Sequence, residues 1–184
     1  MADVSLSKQG QPFSEREFRS ILGVFPTGVA VITAHGTGGI ALGATVNSFS
    51  SVSMDPPLIL FSMAKSAKAY PEWERVEAFV VNILGEDQHV ISTQFARALS
   101  NKWDGVSVVG ASAIEAPALA DAIAHLECAT HQIYEGGDHA IILGRVLALR
   151  AESAFRGPLV FCKGNYDRLA GGIGDEASEG RPRN

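Results

Sequence analysis

Only two cysteines, Cys128 and Cys162, occur in the 184 residues, and they form no Cys-x-x-Cys pair. Neither a zinc site nor a redox dithiol is indicated, and both read as buried free thiols. No apolar run approaches the roughly 18 residues that a membrane-spanning helix needs, and the N-terminal M-A-D-V-S-L-S-K-Q-G-Q-P has no basic start followed by an apolar stretch. A soluble, cytoplasmic protein with no membrane association is the expectation. Lysine and arginine form no dense cluster and the formal net charge is −5, which leaves no electrostatic footprint for nucleic acid. A Gly-x-Ser-x-Gly elbow and a P-loop are both missing, so hydrolase chemistry and nucleotide hydrolysis have no local support. His125, Glu127 and His131 share strand parity, but the two histidines would lie about 20 Å apart along a strand, too far to share an ion. No metal is expected.

What is present is enough for one domain with a real core: 46% of the residues are apolar,. Ser14-Glu15-Arg16-Glu17 is a capping-box pattern ahead of Phe18, Ile21 and Leu22, predicting a helix over about Ser14 to Gly23. Val29 to Thr33 is largely β-branched, with apolar residues of both parities, as in a strand buried on both faces. After a turn at His35 to Gly39, Ile40 to Ser48 reads as the returning strand. Leu58 to Met63 and Glu77 to Leu84 are further strands. Pro71 places the start of an intervening helix near Tyr70, after a turn at Lys65 to Ala69. Asp87 is positioned to cap a helix running through Val90, Ile91 and Phe95. Leu126 to Tyr134 and Ala140 to Arg150 form a hairpin across Glu135 to Asp138, and Leu159 to Cys162 is a last strand. Many short strands interrupted by a few helices fit a mainly β barrel with helical insertions, over residues 13–170. Residues 1–12 read as a flexible lead and residues 171–184, rich in Gly, Glu and Arg, as a disordered tail.

Gly43 to Ser53, reading G-A-T-V-N-S-F-S-S-V-S, is the most informative segment. It sets small hydroxyl and amide side chains between strands, a composition suited to gripping a flat, polar-edged heterocycle. Ser66-Ala67-Lys68 offers a hydroxyl, successive N–H groups and an ammonium, a cradle for phosphate. Gly137-Asp138-His139 leaves a turn and enters a strand, where a histidine can face a cleft. Gly36, Gly38 and Gly39 precede a strand and not a helix, which argues against a dinucleotide fingerprint and for a hairpin turn.

These pieces occur together, in order, in a known family. The chain resembles the flavin reductase domain of the FMN-binding split-barrel superfamily, in particular the small reductase components of two-component aromatic monooxygenases. The carriers are F-R-S-I-L-G-V-F-P-T-G-V-A-V-I-T, G-A-T-V-N-S-F-S-S-V-S-M-D-P-P-L-I-L-F, F-V-V-N-I-L-G-E-D-Q to Q-F-A, G-G-D-H-A-I-I-L-G-R-V and L-V-F-C-K-G-N-Y. The resemblance implies a six-stranded antiparallel split β-barrel, working as a homodimer with FMN or FAD near the subunit interface. It implies that Thr45, Val46, Asn47, Ser48, Phe49, Ser51 and Val52 line the isoalloxazine and ribityl portion. Ser66, Ala67 and Lys68 hold the phosphate side, with Phe95 and Ala96 closing that end. His139 and Lys163, Gly164, Asn165 and Tyr166 receive the nicotinamide nucleotide, His139 orienting it. The implied activity is hydride transfer from NADH or NADPH to flavin, with reduced flavin passed to a separate oxygenase. The absence of an arginine cluster near Lys163 in sequence favours NADH. A flavin-binding or storage module without turnover, on the same barrel, is the alternative.

Overall fold

The computed structural model describes residues 12–98, 101–152 and 156–170. The tail expected over 171–184, and the N-terminal lead apart from its last residue, lie outside them. Helix α1 spans Glu15–Leu22, and its capping box is present: the Ser14 hydroxyl accepts from the Glu17 N–H at 3.2 Å while the Glu17 carboxylate accepts from the Ser14 N–H at 2.8 Å. Strands β1 (Thr27–Gly28), β2 (Ala30–His35), β3 (Ala41–Val46), β4 (Ser50–Met54), β5 (Pro57–Ala64) and β6 (Ala78–Ile83) follow, with helix α2 (Tyr70–Trp73) between the last two. Pro71 sits in the first turn of α2, where its missing N–H has no intrahelical partner to lose,. Helix α3 (His89–Ala96) precedes β7 (Val108–Gly110), β8 (Pro117–Leu119), β9 (Ala124–Gly136), β10 (His139–Ala151), β11 (Val160–Cys162) and β12 (Asn165–Asp167).

The main sheet is antiparallel throughout, in the order β3-β2-β6-β9-β10-β5-β4. Six of these strands form the wall of the expected split barrel, and β4 is a short addition paired to β5. One side chain bridges the gap between the outer wall strands β3 and β5: Ser48 Oγ accepts from the Ser62 N–H at 2.9 Å and donates to the Ser62 carbonyl at 3.3 Å. A small sheet β1-β11-β12 lies beside the barrel.

Strand β2 is buried on both faces, as its sequence indicates. Ala30, Ile32 and Ala34 point into a core with Phe61, Trp73, Phe79 and Ile142, while Val31 joins Val29, Leu84, Phe95 and Leu159 in a second core. Phe61 meets Phe79 edge-on, with centroids 5.2 Å apart. Each such fully buried ring stabilises the fold by about 1.5–3 kcal/mol relative to exposure. Cys128 is buried in the first core, and burial pushes its thiol up to about 12. Cys162 is only half-buried, which corrects the expectation for it.

Two further expectations fail for local reasons. Asp87 does not cap α3: its carboxylate pairs with Arg156 at 3.1 Å, and Gln88 stands at the cap, its side chain accepting from the Gly85 N–H. The shared parity of His125, Glu127 and His131 is broken by a bulge. Gln132 pairs with Leu143 and Thr130 with Gly144, which leaves His131 as the extra residue, exposed, while His125 and Glu127 are buried,. Strands β1, β4, β7, β8 and β12, of two to five residues, were not anticipated.

Candidate functional site

Strand β3 alternates as a two-faced strand must. Leu42, Ala44 and Val46 belong to the barrel core, while Gly43 and Thr45 face α3 and the following loop. Gly43 is there because the Phe95 ring lies on it: a Cβ at this position would come within 2.3 Å of that ring. Trp103 stacks edge-on against Phe95 at 5.0 Å and donates its indole N–H to the Ala41 carbonyl at 3.0 Å. Lys102 donates to the carbonyls of Gly43 and Phe95, and burial pulls its ammonium below the ordinary lysine range. The back of β3 is therefore held by α3 and residues 102–103. Phe95 itself is 1% exposed, so its ring can line no ligand surface; at this end of α3, exposed Ala96 is what remains for that role.

The front end of β3 is held from both sides. The Thr45 hydroxyl donates to the Ser92 carbonyl at 2.6 Å, and Ser92 Oγ lies 2.8 Å from the Tyr166 hydroxyl. Toward β5, Ser48 is bound to Ser62, Ser62 is opposite Ile141, and two residues on Ala64 is opposite His139. The Lys65 N–H donates to the Asp138 carbonyl at 3.0 Å, and its ammonium donates to the Gly137 carbonyl at 2.8 Å and pairs with Glu135. These bonds fasten the turn carrying Ser66, Ala67 and Lys68 beside His139. His139 Nδ1 lies 2.8 Å from the Asp138 carboxylate, and this bond and the nearby imidazole charge hold the Asp138 carboxyl below its ordinary range. Hydrogen bonds and strand register thus link Ser48 through β5 to the 66–68 turn and His139, and Thr45 through Ser92 to Tyr166.

Within that cluster the side chains divide by role. Phe49 packs on the barrel core and Val46 is buried. Asn47, Ser51, Val52, Ser66 and Lys68 are exposed, and Ala67 and His139 are half-buried. Exposed amide, hydroxyl and ammonium groups bordering the core-packed Phe49 have the chemistry that a polar-edged ring bearing phosphate requires.

Lys163 and Gly164 form the two-residue turn between β11 and β12, with φ of 49° and 82°. A lysine in the left-handed region costs roughly 1–2 kcal/mol that glycine avoids. The turn is tied down by the Lys163 N–H donating to the Gly23 carbonyl at 2.8 Å. Lys163 and Gly164 line a groove of ≈ 880 Å³ together with Arg16, Arg19 and Ser20 of α1. This corrects the sequence reading: two arginines do stand by Lys163, brought there from about 145 positions away by the Gly23 contact. Tyr166 and His89, 6.3 Å apart, line a separate cleft of ≈ 520 Å³ with Asp87 and Arg168.

Sequence reasoning missed Ser62, Ser92, Arg16 and Arg19. Ser92 carried a usable signal, because it shares a helical face with Gln88 and Phe95 and so had to be a buried hydroxyl needing a partner. The other three act only through the tertiary fold. Among the described residues no cluster of three or more His, Cys, Asp or Glu side chains is placed to hold a metal ion, and no helix is long and apolar enough to cross a membrane.

A family model described as "Flavin reductase like domain" matches residues 22–170. The chain is 39% identical over 171 residues to the stachydrine N-demethylase reductase subunit of Rhizobium meliloti (strain 1021), covering 88% of this chain and 74% of the relative. It is 37% identical over 174 residues to the NADH-dependent FAD reductase of Streptomyces globisporus, covering 92% of each. The solved structure of the NADH:FAD oxidoreductase of Streptomyces globisporus, in complex with NAD and FAD fragments, superimposes with a TM-score of 0.81 at 37% identity, covering 89% of this chain and 98% of that one.

Proposed function

The chain belongs to the flavin reductase-like domain family, and from that premise we propose that it is an NAD(P)H:flavin oxidoreductase supplying reduced flavin to a separate flavin-dependent monooxygenase. The observation that carries this reading is the convergence at the end of β3. Ser48 ties Thr45 to Phe49 to the strand leading into the 66–68 turn and His139, and Ser92 ties the same segment to Tyr166.

Asn47 and the backbone around Val46 to Ser48 hold the pyrimidine edge of FMN or FAD, and Ser66, Ala67 and Lys68 hold phosphate. A flavin held there would supply the chemistry, as the acceptor of a hydride from the nicotinamide. The protein's share would be placement: Phe49 and Val52 would offer apolar surface to a planar acceptor, and the backbone N–H groups around Val46 to Ser48 would oppose negative charge on it. His139, its ring oriented by Asp138, positions the nicotinamide. Hydride transfer between two cofactors requires no protein general base.

NADH is the favoured reductant, supported by relatives whose names specify it. The working form is a homodimer in the cytoplasm. Supporting the dimer, α1 turns Phe18, Ile21 and Leu22 outward, 53%, 72% and 58% exposed, and Phe25 just beyond is 76% exposed,. A separate oxygenase partner is supported by relatives named as reductase subunits.

Anaerobic mixing of the purified protein with each flavin and each nicotinamide tests the activity. The expected result is NADH-dependent loss of flavin absorbance with turnover. Tight flavin retention without NAD(P)H oxidation would instead establish the storage module.

A further inference from the structure

The groove between α1 and the β11–β12 turn carries charge that no other side chain among the described residues pairs with. Arg16, Arg19, Ser20 and Gly23 fall on one face of α1 by their spacing, and with Lys163 and Gly164 they line ≈ 880 Å³ of open space. Among the described residues none of these three cations is in an ion pair. Against them stand Glu15 in the lining and the Glu17 carboxylate, which accepts from the N–H and hydroxyl of the lining residue Ser14. Three cations against two carboxylates, one of them already satisfied by Ser14, leave the groove locally positive on a chain of net charge −5,. A second observation points the same way. Lys163 occupies a left-handed turn position that asparagine or glycine fills without strain, yet it presents an ammonium there,.

We propose that this groove binds the diphosphate of a nucleoside diphosphate moiety, with Arg16, Arg19 and Lys163 as the phosphate ligands. The size fits: the groove holds several groups, not one ion. Guanidinium forks match phosphate oxygens in pairs, and a diphosphate brings about two negative charges to them. That the moiety belongs to the nicotinamide dinucleotide rests on the reductase reading. FAD is the other source of the same group.

The test uses the full chain and ADP as the probe, by titration calorimetry, so it needs no turnover. Arg16→Gln with Arg19→Gln, and separately Lys163→Asn, which suits the turn, are expected to weaken ADP binding at least fivefold. Arg75→Gln, which loses one charge on an exposed residue elsewhere as Lys163→Asn does in the groove, should leave it unchanged. Equal ADP affinity in wild type and all variants, or no measurable ADP binding by wild type, overturns the groove. The source follows from two arms. A raised KM for NADH with FMN as acceptor assigns the diphosphate to the dinucleotide, whereas weaker FAD binding with FMN binding intact assigns it to FAD. Wild type that binds ADP through these residues but oxidises no NADH would keep the groove and remove the reductase reading.

Discussion

The hydroxyls of Ser92 and Tyr166 lie 2.8 Å apart, and the carbonyl of the same Ser92 accepts the Thr45 hydroxyl at 2.6 Å. One buried residue of α3 thereby joins the strand end assigned to flavin with the segment assigned to nicotinamide. Ser92→Ala leaves the Tyr166 hydroxyl without its partner, a loss of about 0.5–1.5 kcal/mol. The expected outcome is a KM for NADH raised about two- to tenfold, with Ser92→Thr retaining most of the wild-type value. Steady-state kinetics on the two variants check this; equal KM values for Ser92→Ala and wild type would leave Ser92 with a packing role alone.

Asn47 and His139 divide flavin from nicotinamide. Asn47→Ala should weaken flavin binding by about 1–3 kcal/mol, because the ring edge it serves would be desolvated without a partner. His139→Ala should raise the KM for NADH and leave flavin affinity largely intact. Flavin fluorescence titration alongside NADH kinetics separates the two, and a His139→Ala enzyme with wild-type kinetics would strip that residue of its role.

Gly43→Ala tests the support behind β3. The added methyl would sit 2.3 Å from the Phe95 ring and 3.4 Å from Trp103, which itself packs edge-on against Phe95. Overpacking of this kind costs about 1–3 kcal/mol. A lowered midpoint in urea, with an unchanged slope, is expected, together with weaker flavin binding because Thr45 and Ser92 are displaced together.

Acid should weaken the fold in two steps. His125 is buried with a ring nitrogen 2.7 Å from the Leu119 carbonyl, and burial, aided by Arg150, pulls its pKa below 6.5 against that bond. The unfolded chain therefore binds this proton first, and stability falls as pH drops below 6.5 toward the folded-state pKa. Burial alone would raise Glu127, but the N–H groups of Ser112 and Ala113, the Ser112 hydroxyl and Arg150 outweigh it and hold it below 4.5. Its contribution is present above 4.5 and is lost as pH falls through the folded value. Thermal midpoints across pH should decline in both windows, and Glu127→Gln should flatten the lower one.

Much of the wall was legible because its residues obey a single local rule. Strand β2 shows apolar residues of both parities, and β9 and β10 flank a turn in which Gly137 takes φ of 78°. The short strands were illegible because two or three residues carry no period, and their pairing is decided by partners such as Phe161 opposite Thr27. The bulge at His131 is a property of two strands together, invisible in either alone. At the site, Thr45 to Phe49 announced themselves by composition. Arg16 and Arg19 did not, because tertiary contacts, the Lys163 N–H and the Cys162 thiol on the Gly23 carbonyl, bring α1 to that turn.

A crystal structure of the protein grown with FMN or FAD tests the central claim most directly. Ring density is expected against Asn47 and Ser48, with phosphate at Ser66 to Lys68. A flavin bound elsewhere on the barrel, with the end of β3 facing only solvent, would contradict it.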